Sequence, residues 1–273
     1  MIAEILQYPF FQRALVVALL VSVMCGIIGT FVVVKQMASI SGGLAHAAFG
    51  GVGLAFWLGL SPIGGAFGFC ILSSAIIAFV YRRQRQTLDT VIAIVWSVGM
   101  ALGAIFIALT PGYTPSIEGY LFGSILLVPK GFVFLVAALD VVVVTVVALF
   151  FKELQAVSFD EEFSEVAGIN VDAIYLMLLV LCSIAVVALI YVVGAILTIA
   201  LLTTPAVIAR QWRVTLKEMM FFSCIVAAAA SVSGLFLSLG ISERFSLELP
   251  TGPLIILVVT ALYALSSLAR RFS

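Results

Sequence analysis

Long apolar blocks separated by short polar breaks run through this chain from one end to the other. A helix needs about 20 apolar residues to cross roughly 30 Å of hydrocarbon, so each block of that length predicts a membrane-spanning helix. Nine are predicted, near residues 12–34, 39–60, 63–80, 90–109, 131–151, 172–191, 194–209, 218–238 and 251–268. The expected fold class is therefore an all-α, polytopic membrane protein, read as a single transmembrane domain over residues 1–273.

The breaks between blocks differ in charge, and the difference sets an orientation. With the N-terminus outside, the cytoplasmic breaks hold Lys35, Arg82, Arg83, Arg85, Lys152, Arg210, Arg213, Lys217, Arg270 and Arg271. The outer breaks hold only Arg13, Lys130 and Arg244. Lysine and arginine accumulate in short cytoplasmic loops, so ten against three predicts N-terminus outside and C-terminus inside.

Composition agrees with the pattern. Of 273 residues 64% are hydrophobic and 10% charged, with mean hydropathy +1.32. A soluble domain has about 25% charged residues, and a chain this apolar has no single water-soluble core in which to hide the excess. Zero formal net charge excludes a basic nucleic-acid surface as the organising feature. The four cysteines, Cys25, Cys70, Cys182 and Cys224, are far apart inside apolar blocks and read as small hydrophobes.

The longest cytoplasmic loop is residues 152–171; outside, 110–130 is the longest, and none is large enough for a soluble domain. No GxxxxGK[ST] sequence is present, so transport driven by ATP would need another subunit to bind the nucleotide.

Ionisable groups inside a bilayer are costly and point to function by default. His46 is the only histidine, in SISGGLAHAAFGGVGLAF, and shares one helical face with Gly42, Gly50 and Gly53. Small residues there either leave room around a metal-binding imidazole or allow close helix packing, with His46 hydrogen-bonded to a neighbour. Asp140, in GFVFLVAALDVVVVTVVALFF, lies about 15 Å from the outer edge. It is either a second transient metal contact in the pore, or a structural carboxyl bonded to a serine or threonine. The third feature is the loop FDEEFSEVAG, with Phe159, Phe163, Val166 and Ala167 at helical spacing and Asp160, Glu161, Glu162 and Glu165 on the remaining surface, ending at Gly168. It reads as a short amphipathic docking helix, about residues 159–169, or as a solvated connector. Gly194 and Pro205 break one apolar block, and Pro250, Gly252 and Pro253 open the last, as in helices that line cavities.

Four of these stretches occur together in order: VVVKQMASISGGLAHAAFGGVG, SFDEEFSEVAGI, VGAILTIALLTTPAVIAR and ELPTGPLIIL. With the helices between them they cover nearly the whole chain. In this the chain resembles the ABC-3 family, the permease subunits of zinc, manganese and iron(II) ABC importers. The resemblance implies a type II ABC importer-like permease in a prokaryotic cell membrane, working as a homodimer with a pore near the two-fold axis. It implies two copies of a cytoplasmic ATPase, an external metal-binding protein, a transported divalent ion, and no permanently bound cofactor. By the same resemblance FDEEFSEVAG is the coupling helix that seats in the ATPase, and His46 is the pore histidine that meets the metal. The family commonly carries an aspartate one turn before that histidine; here the position is Gly42.

Three other readings stand beside it. A permease for a metal chelate such as a siderophore or cobalamin keeps the class and changes the cargo. A stand-alone secondary transporter or channel would move ions without ATP. An intramembrane enzyme is disfavoured, since the chain has one histidine and no GxSxG or HExxH sequence.

Overall fold

The computed structural model describes residues 7–84, 87–111, 123, 125–245 and 249–271. Arg85 and most of the 110–130 loop lie outside the described residues. The helices are α1 Pro9–Val34, α2 Ala38–Leu58, α3 Pro62–Gln84, α4 Leu88–Leu109, α5 Lys130–Leu149, α6 Phe151–Phe159, α7 Glu161–Val166, α8 Val171–Trp212, α9 Leu216–Phe245 and α10 Thr251–Arg271. A single 3₁₀ turn, Ile125–Leu127, precedes α5.

Eight of these, all but α6 and α7, are long and apolar enough to cross a membrane. The difference from nine lies in α8. The expected segments 172–191 and 194–209 are two halves of one 42-residue element, which at 1.5 Å per residue is about twice the thickness of a hydrocarbon core. No loop divides them. Gly194, at φ 83° and ψ 166°, turns the chain at a single residue, a conformation open to glycine because it has no Cβ. The Thr198 hydroxyl donates to the Gly194 carbonyl at 2.8 Å and satisfies a group at the kink.

The chain forms two compact units. The first is Met1–Val33, Glu118–Thr145 and Ala188–Ser273; the second is Val34–Ile117 and Val146–Val187. In the first, α9 packs on α10, where a Cβ at Gly234 would lie 2.9 Å from the Ile255 Cα. The C-terminal ends of α8 and α10 are tied together by Gln211 and Trp212, which bond Ser267 and Ser266.

The second unit is built on glycine contacts. Helix α2 packs against α3 and α4. A Cβ at Gly51 would meet the Gly65 carbonyl of α3 at 2.1 Å, and one at Gly53 would meet the Gly103 carbonyl of α4 at 2.6 Å. A Cβ at Gly50 would lie 2.9 Å from the Gly99 carbonyl. Gly50 and Gly53 thus serve close packing rather than opening space beside His46. In a bilayer no hydrophobic effect drives helices together, and such backbone approach supplies dispersion contact instead. Between α3 and α8, buried Ser74 and Ser183 bond each other at 2.6 Å and reach the carbonyls of Leu179 and Cys70.

Gly51→Val is expected to push α3 off α2 and cost about 1–3 kcal/mol, the usual range for overpacking. A thermal melt of the detergent-solubilised protein checks it; an unchanged midpoint would mean the glycine contact is not tight.

Large apolar side chains remain on the outside. Ile94 and Ile105 of α4, Phe134 and Val141 of α5, and Leu257 and Leu265 of α10 are all exposed. On a water-soluble protein this would be an extensive sticky surface, whereas lipid solvates it.

Candidate functional site

His46 stands near the middle of α2, where its neighbours from Ile40 to Val52 are all buried. Its own side chain is partly exposed. The imidazole lies flat on the indole of Trp96 from α4, with ring centroids 4.5 Å apart and planes within 3°. His46 Nδ1 is buried without a hydrogen-bond partner among the described residues. The ring is therefore held by stacking rather than by a bond to a neighbouring helix, and a nitrogen lone pair or N–H is left unused by the fold. Tightly bound metals favour histidines whose second nitrogen is anchored to a carboxylate or carbonyl. An imidazole without that anchor suits a passing ion better than a resident one. Gly42, one turn earlier, is buried and adds no ligand.

Trp96 was not among the sequence-based candidates. In a block rich in apolar residues nothing distinguishes one tryptophan from another, and only the α2–α4 packing puts it against the histidine.

Asp140 lies halfway along α5, 5% exposed, and both its oxygens are buried without a hydrogen-bond partner. The serine or threonine partner that a structural role requires is absent among the described residues. Cys25 of α1 and Cys224 of α9 lie close enough to interact electrostatically with the carboxyl. An ionised carboxylate left unpaired at that depth costs several kcal/mol, so the group is one that a passing cation would relieve. Asp140 belongs to the first unit and His46 to the second. Among the described residues no cluster of three or more His, Cys, Asp or Glu side chains forms a metal cage.

The FDEEFSEVAG segment holds one short helix, α7, closed at both ends by its own sequence, while its first residue, Phe159, ends α6. Asp160 is extended backbone between α6 and α7, and its carboxylate accepts the Phe163 N–H at 2.9 Å, an N-cap for α7. At the other end Gly168 has φ 84°, its N–H bonds the Glu165 carbonyl at 3.0 Å, and the Ile169 N–H bonds the Ser164 carbonyl at 3.0 Å. This is the glycine-dependent Schellman stop.

The face this helix presents is the reverse of an ordinary surface helix. Ser164 is buried, while Phe163 and Val166 of α7 are exposed at 67% and 89%, and Phe159 at the end of α6 is exposed beside them at 65%. Glu162, Glu165, Ala167 and Gly168 are exposed around them. Two of the acidic residues turn elsewhere: Asp160 caps the helix, and Glu161 is ion-paired with Lys35 and Arg82. Apolar side chains at the tip of a short surface helix, rimmed by carboxylates, form a ridge suited to a groove on a partner.

The ABC 3 transport family matches residues 7–270 of this chain. An uncharacterized membrane protein of Synechocystis sp. is 40% identical over 98% of the chain and 93% of its own length. The manganese transport system membrane protein MntC of Listeria monocytogenes is 31% identical over 97% of the chain and 92% of its own. Among solved structures, PsaBC from Streptococcus pneumoniae in complex with Fab superposes with a TM-score of 0.83 at 33% identity, covering 97% of this chain and 95% of that one.

Proposed function

Because the chain belongs to the ABC 3 transport family, we propose that it is the permease subunit of an ATP-driven importer that carries a divalent transition-metal ion through a bacterial plasma membrane. The observation that carries this reading is that similarity runs from end to end, in sequence and in fold, to proteins whose names include a manganese transport membrane protein. Mn²⁺ is the favoured cargo over Zn²⁺ and Fe²⁺. What favours it is the likeness to permeases named for manganese transport, and a carboxylate such as Asp140 suits that hard ion.

The chain acts as one permease domain in a homodimer, N-terminus outside. The ridge of Phe159, Phe163 and Val166 with Glu162 and Glu165 docks a cytoplasmic ATPase, and an external binding protein supplies the ion. ATP binding and hydrolysis move the coupling helix, and the pore opens to each side in turn. His46, backed by Trp96, meets the ion weakly in transit, and Asp140 lowers the electrostatic cost for a cation at depth. Weak contact is what turnover requires, since an ion held tightly leaves slowly.

The test is uptake of Mn²⁺, Zn²⁺ and Fe²⁺ into proteoliposomes containing this chain, its cognate ATPase and its binding protein. ATP-dependent Mn²⁺ uptake is expected. Uptake by the chain alone without ATP would instead support a stand-alone transporter or channel, and uptake only of a chelate would move the cargo to that class.

A further inference from the structure

The carboxylate of Glu161 in α7 sits between two basic groups from the roots of the α2–α3–α4 bundle. Its Oε1 pairs with Lys35 Nζ, in the turn that leads into α2, and its Oε2 accepts from Arg82 Nη1 at 3.1 Å, in the last turn of α3. Lys35 is 9% exposed, also donates to the Val157 carbonyl of α6 at 2.9 Å, and lies over the buried ring of Tyr175. Arg82 makes a second pair with Asp172 at the start of α8. Two cations and two carboxylates thus join α3, α7, α8 and the α1–α2 turn in one charge-balanced cluster.

The turn itself is short. It holds only Lys35, Gln36 and Met37, with Gln36 at φ 57°, and the Tyr175 hydroxyl contacts the Met37 sulfur. Helix α2 begins one residue later and carries His46 about 12 Å further along. The exposed ridge of α7 and the inward Glu161 therefore lie on one six-residue helix, with the partner surface on one side and the root of the histidine helix on the other.

We propose that Glu161 is a positioning residue that transmits movement of the docked ATPase to the pore, by pulling α2 through Lys35 and α3 through Arg82. A helix docked only through apolar side chains could rock against the bundle. A carboxylate shared by a mostly buried lysine and an arginine resists that, since charge-assisted bonds are short, directional and stronger than neutral ones. In this arrangement Phe163 holds the partner and Glu161 passes its displacement on.

The inference rests on the permease reading, and its test separates the two. Glu161→Gln, isosteric but uncharged, is reconstituted with the cognate ATPase and binding protein, and Mn²⁺ uptake and ATP hydrolysis are measured in the same vesicles. The ATPase is expected to co-purify and hydrolyse ATP at near the wild-type rate, while ions moved per ATP fall about tenfold, the scale of losing one charge-assisted bond. Lys35→Met is expected to give the same uncoupling, and the double variant to be no worse than either single one, as residues in one network are not additive. Glu161→Asp, which keeps the charge, should recover part of the ratio. An unchanged ratio in Glu161→Gln, additive losses in the double variant, or release of the ATPase would each overturn the proposal. Failure of wild type to move any ion would instead sink the permease reading.

Discussion

Metal uptake is expected to fall by at least about tenfold in His46→Ala, while the complex assembles and hydrolyses ATP as before. The size follows from the chemistry left behind: even outer-shell changes at metal sites cost about 10–100-fold, and here the residue removed is the only imidazole in the chain. The fold should tolerate the change. Among the described residues no hydrogen-bond partner holds His46 Nδ1, and its stacking on Trp96 is worth about 0.5–1.5 kcal/mol. Uptake in proteoliposomes, run beside a thermal melt, distinguishes loss of the ligand from loss of the protein. Trp96→Ala provides the companion measurement. It leaves the imidazole in place but frees its ring, so it should raise the metal concentration needed for half-maximal uptake more than it lowers the maximum. Normal uptake in His46→Ala would make the histidine a packing residue and leave the pore without the ligand assigned to it.

The second large effect is expected at the other end of the transmission. Phe163→Asp should weaken ATPase docking by about 30-fold or more, the equivalent of losing an aromatic anchor worth about 2 kcal/mol. Phe163 is exposed in the isolated chain, so the permease alone should be as stable as wild type within about 0.5 kcal/mol. The substitution places a carboxylate beside Glu162 and Glu165, adding charge to a rim that is already acidic. Binding of purified ATPase to the permease in nanodiscs measures it directly. Wild-type affinity in this variant would show that the ridge is not the docking surface, and Val214, exposed in the short link between α8 and α9, would be the next apolar surface to test.

These two variants and Glu161→Gln separate the steps of the proposed cycle. Phe163→Asp removes docking, Glu161→Gln leaves docking and removes transmission, and His46→Ala leaves both and removes contact with the ion. Their phenotypes in hydrolysis and uptake should therefore differ from one another.

Helix placement was readable from the chain because the bilayer imposes a length. A block of apolar residues long enough to cross hydrocarbon must be a helix whatever it packs against, since no other local structure satisfies its backbone there. The caps of α7 were equally local: Asp160 and Gly168 act on groups within five residues of themselves, and they bound a short helix, Glu161–Val166, inside the stretch 159–169. His46 and Asp140 stood out because ionisable groups are rare in apolar blocks, a property of sequence alone.

What only the tertiary structure decided depends on partners distant in the chain. Glu161 looked like one more carboxylate of an acidic surface, and is set apart only by Lys35, 126 positions away, and Arg82, 79 away. Gly50 and Gly53 carried two readings until α4 was found against them, and Trp96 had none until it was found on His46. The break at Gly194 was legible in the sequence; the structure adds that one residue makes it, with no loop between the two helical halves of α8. Solvent dictates where helices lie in a membrane chain, and it acts on each segment by itself. Their faces and ion pairs depend on which segments meet, and that is a property of the assembled bundle.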